Sequence, residues 1–303
     1  MLTTGRRLLL ALGLATNLAA CQQGVASSAS STAVVDTPIA AGTESIPDKP
    51  TSDSDQNTPL PVAGNANWAL TNVGLPAWTP AHLDPNHVSV GMVVNSATQV
   101  VRLTTTLLVP PKPRASGTDF IWPGLQPYTG SPNPNNMSFG VLQPVLTWGP
   151  SCAPNQLPDD VYTFWWVSGQ FVDDSGCYGG ATMQVAPGDG LLMDLVLKKS
   201  VWTQTVTDLA TQQSVSYTVD LRGFWQNWVL FFLEDYGDVP PPTDMVFVNT
   251  TVTLADKVSD PLVLDSEGER CFVSRMTPSA DGKSFVIPRI VLRAPGVAQT
   301  YAD

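Results

Sequence analysis

The chain is predicted to fold as an all-β protein, an antiparallel β-sandwich or barrel. Three observations predict it. Pro and Gly, 27 and 23 of the 303 residues, punctuate the chain throughout, so no helical period runs far. Runs rich in β-branched and aromatic residues recur between turn signals. Apolar residues make up 43% of the chain, ample for a real core.

The first twenty residues do not belong to that domain. Arg6 and Arg7 precede an apolar run from Leu8 to Ala15, then small residues and Cys21. That order predicts a secretory signal, and the apolar run is too short to span a bilayer. Leu18-Ala19-Ala20-Cys21 resembles the lipobox of bacterial lipoproteins. The resemblance implies a lipid on Cys21, which becomes the mature N-terminus. Gln22, rather than Asp, resembles the outer-membrane class where a cell has two membranes. Residues 21–62 are rich in Ser, Ala, Thr, Asp and Pro with no apolar periodicity. Such a stretch buries too little surface to offset its ordering entropy, and it is read as a disordered tether. Residues 63–303 are left as one folded domain. The expected location is the bacterial cell envelope.

The net charge of −11 and pI of about 4.4 exclude a basic surface for nucleic acid. An acidic chain also suits acidic surroundings, where its carboxylates are partly neutralised. With Cys21 assigned to lipid, three of the four cysteines remain. Export permits disulfides. Cys152 and Cys177 flank a predicted hairpin and are expected to pair, leaving Cys271. The sequence leaves the other pairings of the three open.

The predicted strands, in order, include QVVRLTTTLLV (99–109), YTFWWVSGQFV (162–172), TMQVA and LLMDLVL about the turn PGDG (182–197), SVSYTVDL (214–221), NWVLFFLEDYG (227–237) and MVFVNTTVTL (245–254). The PGDG at 187–190 predicts a hairpin turn. In NWVLFFLEDYG successive side chains point to opposite faces. Trp228, Leu230, Phe232, Glu234 and Tyr236 share one face; Val229, Phe231, Leu233 and Asp235 share the other. Both faces are apolar, so the strand is central and covered on both sides. Glu234 then sits among aromatics, where desolvation raises a carboxyl pKa. In GVLQPVLTWG (140–149) Gln143 is the one strongly polar side chain of an apolar start, and a buried amide needs partners.

These blocks, in this order, resemble the glutamic peptidases, or eqolisins, and their wider relatives. TTTLLVPPKP (104–113), FIWPGLQP (120–127), GVLQPVLTWG, YTFWWVSGQFV, MQVAPGDGLLMDLVL, DLATQQSVSYTVDL (208–221) and FFLEDYG each match a family segment, from about 100 to 250. The resemblance implies a concanavalin A-like sandwich. It puts the family's catalytic Gln on Gln143 and its catalytic Glu on Glu234, with Trp122 and Trp166 beside the substrate groove. It implies an acid endopeptidase whose Glu activates water as general base and then protonates the leaving amine. The Gln amide would stabilise the oxyanion. No metal, cofactor or covalent intermediate is implied, and the partner is a polypeptide bound by a monomer. The chain departs from the family at Gln126 and Thr147, where eqolisins carry Asp, and YTFWWVSGQFV lacks their Glu. The alternative is a non-catalytic lipoprotein that binds peptide or glycan in the same groove.

Other constellations are weaker. His82, Asp84 and His87 lie close together, but Pro85 interrupts them and a surface loop is expected rather than a metal site. Glu234 and Asp235 are adjacent in a strand, so they cannot form the facing carboxylate pair of a glycosidase.

Overall fold

The computed structural model describes residues 87–294, apart from 95–96, 114–116, 129–139, 155–156, 159, 174–175, 237–240, 259–261 and 268–269, and only the backbone of 263–267. The readings made for the signal peptide, Cys21, the tether, His82 and Asp84 lie outside those residues.

Every regular element described is a strand. In chain order they are β1 (His87–Val93), β2 (Val100–Leu108), β3 (Asp119–Gln126), β4 (Val141–Trp148), β5 (Trp165–Asp173) and β6 (Gly176–Gly179). Next come β7 (Met183–Val185), β8 (Gly190–Lys198), β9 (Val201–Asp208), β10 (Ser214–Asp220) and β11 (Trp228–Asp235). The last are β12 (Met245–Leu254), β13 (Val263–Glu267), β14 (Cys271–Val273), β15 (Thr277–Pro278) and β16 (Ser284–Leu292).

They form two antiparallel sheets. The first runs β13-β1-β11-β3-β4-β5-β6, with β7 also pairing β5; the second runs β10-β9-β8-β2-β12-β16-β14, with β15 also pairing β16. The sheets pack face to face, β5 lying over β9 and β10. The predicted antiparallel sandwich is therefore the observed fold.

The core between the sheets follows from alternation. Val229, Phe231 and Leu233 of β11 point inward, beside Val88, Val90 and Met92 of β1 and Ile121 and Leu125 of β3. They meet Leu103, Met193, Val206, Phe247 and Ile287 of the second sheet. Phe231 and Phe247 touch edge to face with centroids 5.0 Å apart across this layer. Burying a side chain of that size contributes about 2–3 kcal/mol.

Two expectations need correction. The PGDG turn is tight, with Gly188 at φ 91° and the Asp189 carboxylate accepting the Ala186 amide, but it does not close a hairpin. β7 pairs β5 in the first sheet and β8 pairs β2 and β9 in the second, so the turn carries the chain from sheet to sheet. Sequence specifies the bend; which partner each arm takes is set by packing at a distance. The segment HVSVGMV, placed in a surface loop at its His87 end, is instead the buried strand β1. Its alternation of polar or small residues with Val and Met is the signal.

Cys152 and Cys177 form a disulfide, tying the segment after β4 to edge strand β6. The Cys271 thiol donates to the Ser89 carbonyl at 3.1 Å.

Candidate active site on the outer face of the first sheet

The first sheet has a second apolar face, turned away from the core. Phe120, Trp122, Val141, Val145 and Leu230 are buried on it, with Trp228, Phe232 and Tyr236 packed against them. β11 is thus apolar on both faces, as its sequence predicts. Directly opposed residues of neighbouring strands share a face. The ladder β1–β11–β3–β4–β5 therefore lays His87, Glu234, Phe120, Thr147 and Trp166 in one row across this face.

Glu234 is 2% exposed in that row. Trp122 Nε1 donates to its Oε1 at 2.9 Å, and the Tyr236 hydroxyl donates to its Oε2 at 2.8 Å. Burial pushes the Glu234 carboxyl up to about 7, and the two donors, Tyr236 and then Trp122, pull it part of the way back. Phe232 stacks on the Trp122 indole with centroids 5.1 Å apart and planes 9° from parallel. His87 opposes Glu234 directly in the ladder and meets Tyr236 edge-on at 5.1 Å. The result is a desolvated carboxyl, poised near neutrality and held by aromatic donors.

Gly124 makes the Trp122 position possible. A Cβ there would fall 2.7 Å from Trp122 Cζ3 and 2.9 Å from the Leu142 carbonyl oxygen. Without it, the indole lies along β3 with one edge over Gly124 and its Nε1 at Glu234.

Gln143 lies on the same face as Glu234 but not beside it. The β3–β4 register is the same at Ile121↔Leu146 and Leu125↔Leu142, which sets Gly124 opposite Gln143. Glu234 stands in the Phe120–Thr147 row, and Thr147 is four residues from Gln143 along β4. Two strand spacings across and four residues along place the two Cα atoms about 16 Å apart on ordinary strand dimensions. The Trp122 indole occupies the space between. The register therefore brings the pair to one face, two strands and four residues apart.

The other expected groove residues share this face. Trp122 is bonded to Glu234, and Trp166 is fully buried in the Glu234 row, its Nε1 donating to the Gly149 carbonyl at 3.1 Å. Thr147, where the family pattern has Asp, is fully buried, and its hydroxyl has no partner among the described residues.

Three features escaped the sequence. His87, expected in a loop, is in strand β1 opposite Glu234. Gln126, Gln143 and Gln170 converge on adjacent strands of the outer face, each 3% exposed. Asp119 and Asp235 face each other across β3 and β11 on the core side of the sheet. Burial, then the charge of Asp235, pushes Asp119 up to about 8. Alternation assigns Asp235 its face, but cross-strand pairing is needed to find Asp119.

No protein-family model matches the chain, and no curated protein matches it. Among solved structures, scytalido-glutamic peptidase with a peptide-based transition-state analogue aligns at TM-score 0.43 and 12% identity, covering 68% of this chain and 98% of that one. SCP-B, a member of the eqolisin family of peptidases in a complex with the tripeptide Ala-Ile-His, aligns at TM-score 0.40 and 12% identity, with the same 68% and 98% coverage. The CBM2 module of an evolved Dit of Lactobacillus casei BL23 phage J-1 aligns at TM-score 0.34 and 11% identity, covering 70% of each chain.

Proposed function

We propose that the protein is a peptide hydrolase in which Glu234 is the general acid/base. One observation carries this reading: the buried Glu234 carboxyl, raised to about 7, sits between two aromatic donors on a face rimmed by partly exposed Trp228, Phe232 and Tyr236. A carboxylate with that pKa takes a proton from water efficiently near neutral pH. The water oxygen bonds to the scissile carbonyl carbon, and the carbonyl pair moves onto oxygen. The C–N bond then breaks as protonated Glu234 returns its proton to the amine nitrogen. Trp122 and Tyr236 hold the carboxyl in place through both transfers.

The raised pKa moves the working range above that of an acid peptidase. Base catalysis needs the ionised carboxylate, so kcat/KM for an unfolded protein substrate is expected to rise with pH through an inflection near 7. Glu234→Gln is expected to lower it about 100-fold or more, with a Tm equal or higher at neutral pH because the buried carboxyl no longer ionises. A wild type that cleaves no unfolded substrate between pH 3 and 9 would leave the second reading, a groove that binds without cleaving.

The lipid anchor at Cys21 is part of the proposal and rests on residues 1–21 of the sequence. In a bacterial host, Cys21→Ser is expected to move the protein from the membrane fraction to the soluble fraction and to abolish palmitate labelling. Equal labelling of both forms rules the anchor out.

A further inference from the structure

His87 is the one imidazole among the described residues, and the ladder sets it directly opposite Glu234. Directly opposed residues of an antiparallel pair hold their Cβ atoms about 4.5–5.5 Å apart on one face. The imidazole is fixed there by the aromatic residues on either side of Glu234. It meets the Phe232 ring edge-on with centroids 6.2 Å apart, and the Tyr236 ring edge-on at 5.1 Å. Tyr236 in turn gives its hydroxyl to Glu234 Oε2 at 2.8 Å. His87 is 8% exposed and Glu234 2%, so little water screens one from the other.

Other titratable or charged groups reach this place from few directions. Arg270 Nη2 donates to the His87 backbone carbonyl at 2.9 Å, and the Cys271 thiol donates to the Ser89 carbonyl. β13, on the far side of β1, sets Glu267 opposite Ser89, two residues along from His87. β3 presents the apolar rings of Phe120 and Trp122 beside Glu234, and Asp235 and Asp119 lie on the opposite face of the sheet. The second sheet packs on the core side of β1, against Val88, Val90 and Met92.

We propose that His87 and Glu234 share one proton as a cross-strand pair, which makes His87 a positioning residue for the reacting carboxyl. Only the assignment of a reaction to Glu234 rests on the hydrolase reading. In acid both groups carry a proton. The first to leave goes to solvent, and the one that remains lies on the carboxyl or on the imidazole. The imidazolium–carboxylate form is favoured because the two charges stand side by side where water is scarce. The second proton leaves near pH 7, where burial governs the carboxyl and an imidazole ordinarily gives up its charge. Glu234 therefore ionises in two steps, and part of it is ionised below the pH that burial alone would set. Groups that interact in this way titrate as a pair.

Nuclear magnetic resonance tests the pair without reference to cleavage. The full chain, with 13C at the glutamate carboxyls and 15N in the imidazoles, is titrated across the carboxyl and imidazole range. The chain has two histidines, so His82→Gln assigns the His87 signals, and Glu234→Gln assigns the carboxyl. The Glu234 signal is expected to move in two steps in the parent. In His87→Gln it is expected to move in one, with a midpoint about one pH unit or more above the parent's first step. Coupling between two sites is reciprocal, so Glu234→Gln is expected to lower the His87 midpoint by a comparable amount. That second measurement decides alone if His87→Gln does not fold. A packing role for His87 would lower Tm and move neither curve. A one-step Glu234 curve that His87→Gln leaves in place overturns the inference, as does a His87 midpoint unmoved by Glu234→Gln. Reciprocal shifts in a wild type that cleaves no unfolded protein keep the pair and remove the hydrolase reading. Cleavage with a kcat/KM pH profile unchanged by His87→Gln does the reverse.

Discussion

At Glu234 two opposing effects are balanced, and each is separately removable. Burial raises the carboxyl, while the Tyr236 hydroxyl and the Trp122 indole favour its ionised form. Tyr236→Phe deletes one donor and leaves the burial. The Glu234 pKa is therefore expected to climb above about 7, and 13C NMR of the labelled carboxyl reads it directly. A fall on this substitution would mean that the hydroxyl does not serve the ionised form. Gly124→Ala acts on the second donor from a distance. Its Cβ would meet Trp122 Cζ3 at 2.7 Å and the Leu142 carbonyl at 2.9 Å, and the carbonyl belongs to a strand that cannot easily yield. Crowding of that kind costs about 1–3 kcal/mol. Lower Tm together with a raised Glu234 pKa is the expected pair of results. Lower Tm with an unchanged pKa would show that the indole keeps its bond.

Among elements, edge strand β6 is the one held covalently. It is four residues long and pairs only with β5 among the described strands. The Cys152–Cys177 bridge closes a loop of 25 residues, which in the chain-entropy account contributes about 3.5 kcal/mol. Replacing both cysteines with Ala is expected to lower unfolding stability by about that amount in denaturant titration. A change under about 1 kcal/mol would mean that the ladder alone holds β6. The elements also mark what the sequence could reveal. β11 was legible, because an unbroken apolar run cannot alternate and must be covered on both faces. β1 has the period of a strand but was hidden behind the loop-like residues before it. The PGDG bend was legible as a bend, yet the sheets it joins were not, since pairing partners lie up to a hundred residues away. The same limit applies to the site. A buried Glu and a buried Gln can each be recognised along the chain, but their separation is fixed by register across β3. The cross-strand pairs Glu234–His87 and Asp119–Asp235 depend on strand order in the same way.

For the whole molecule, the buried carboxyls set the direction of the pH dependence. Glu234 is raised from 4.5 to about 7 and Asp119 from 3.8 to about 8, so the folded chain holds both protons more tightly than the unfolded one. By linkage, their contribution is fully present below about pH 4 and is lost as pH rises through 7 and 8. For Glu234 alone the shift corresponds to about 3 kcal/mol. Exposed Asp220 and Asp281 act oppositely: backbone and side-chain donors hold them below the ordinary range, so their contribution is lost only as acidity deepens below about pH 4. A chain with net charge −11 also repels itself more as its carboxylates ionise, which adds to the loss at higher pH. Tm is therefore expected to fall steadily between pH 5 and 8.5, contrary to a protein whose buried acids are paired with bases. Asp119→Asn keeps the shape of the side chain and cannot ionise beside Asp235. It is expected to flatten the fall and to raise Tm at pH 8.5 while changing little at pH 5. A Tm that is level or rising from pH 5 to 8.5 in the parent would show that Asp119 and Glu234 find compensating partners in the folded state. An Asn variant that loses stability equally at both pH values would show that the carboxyl pair serves packing rather than proton binding.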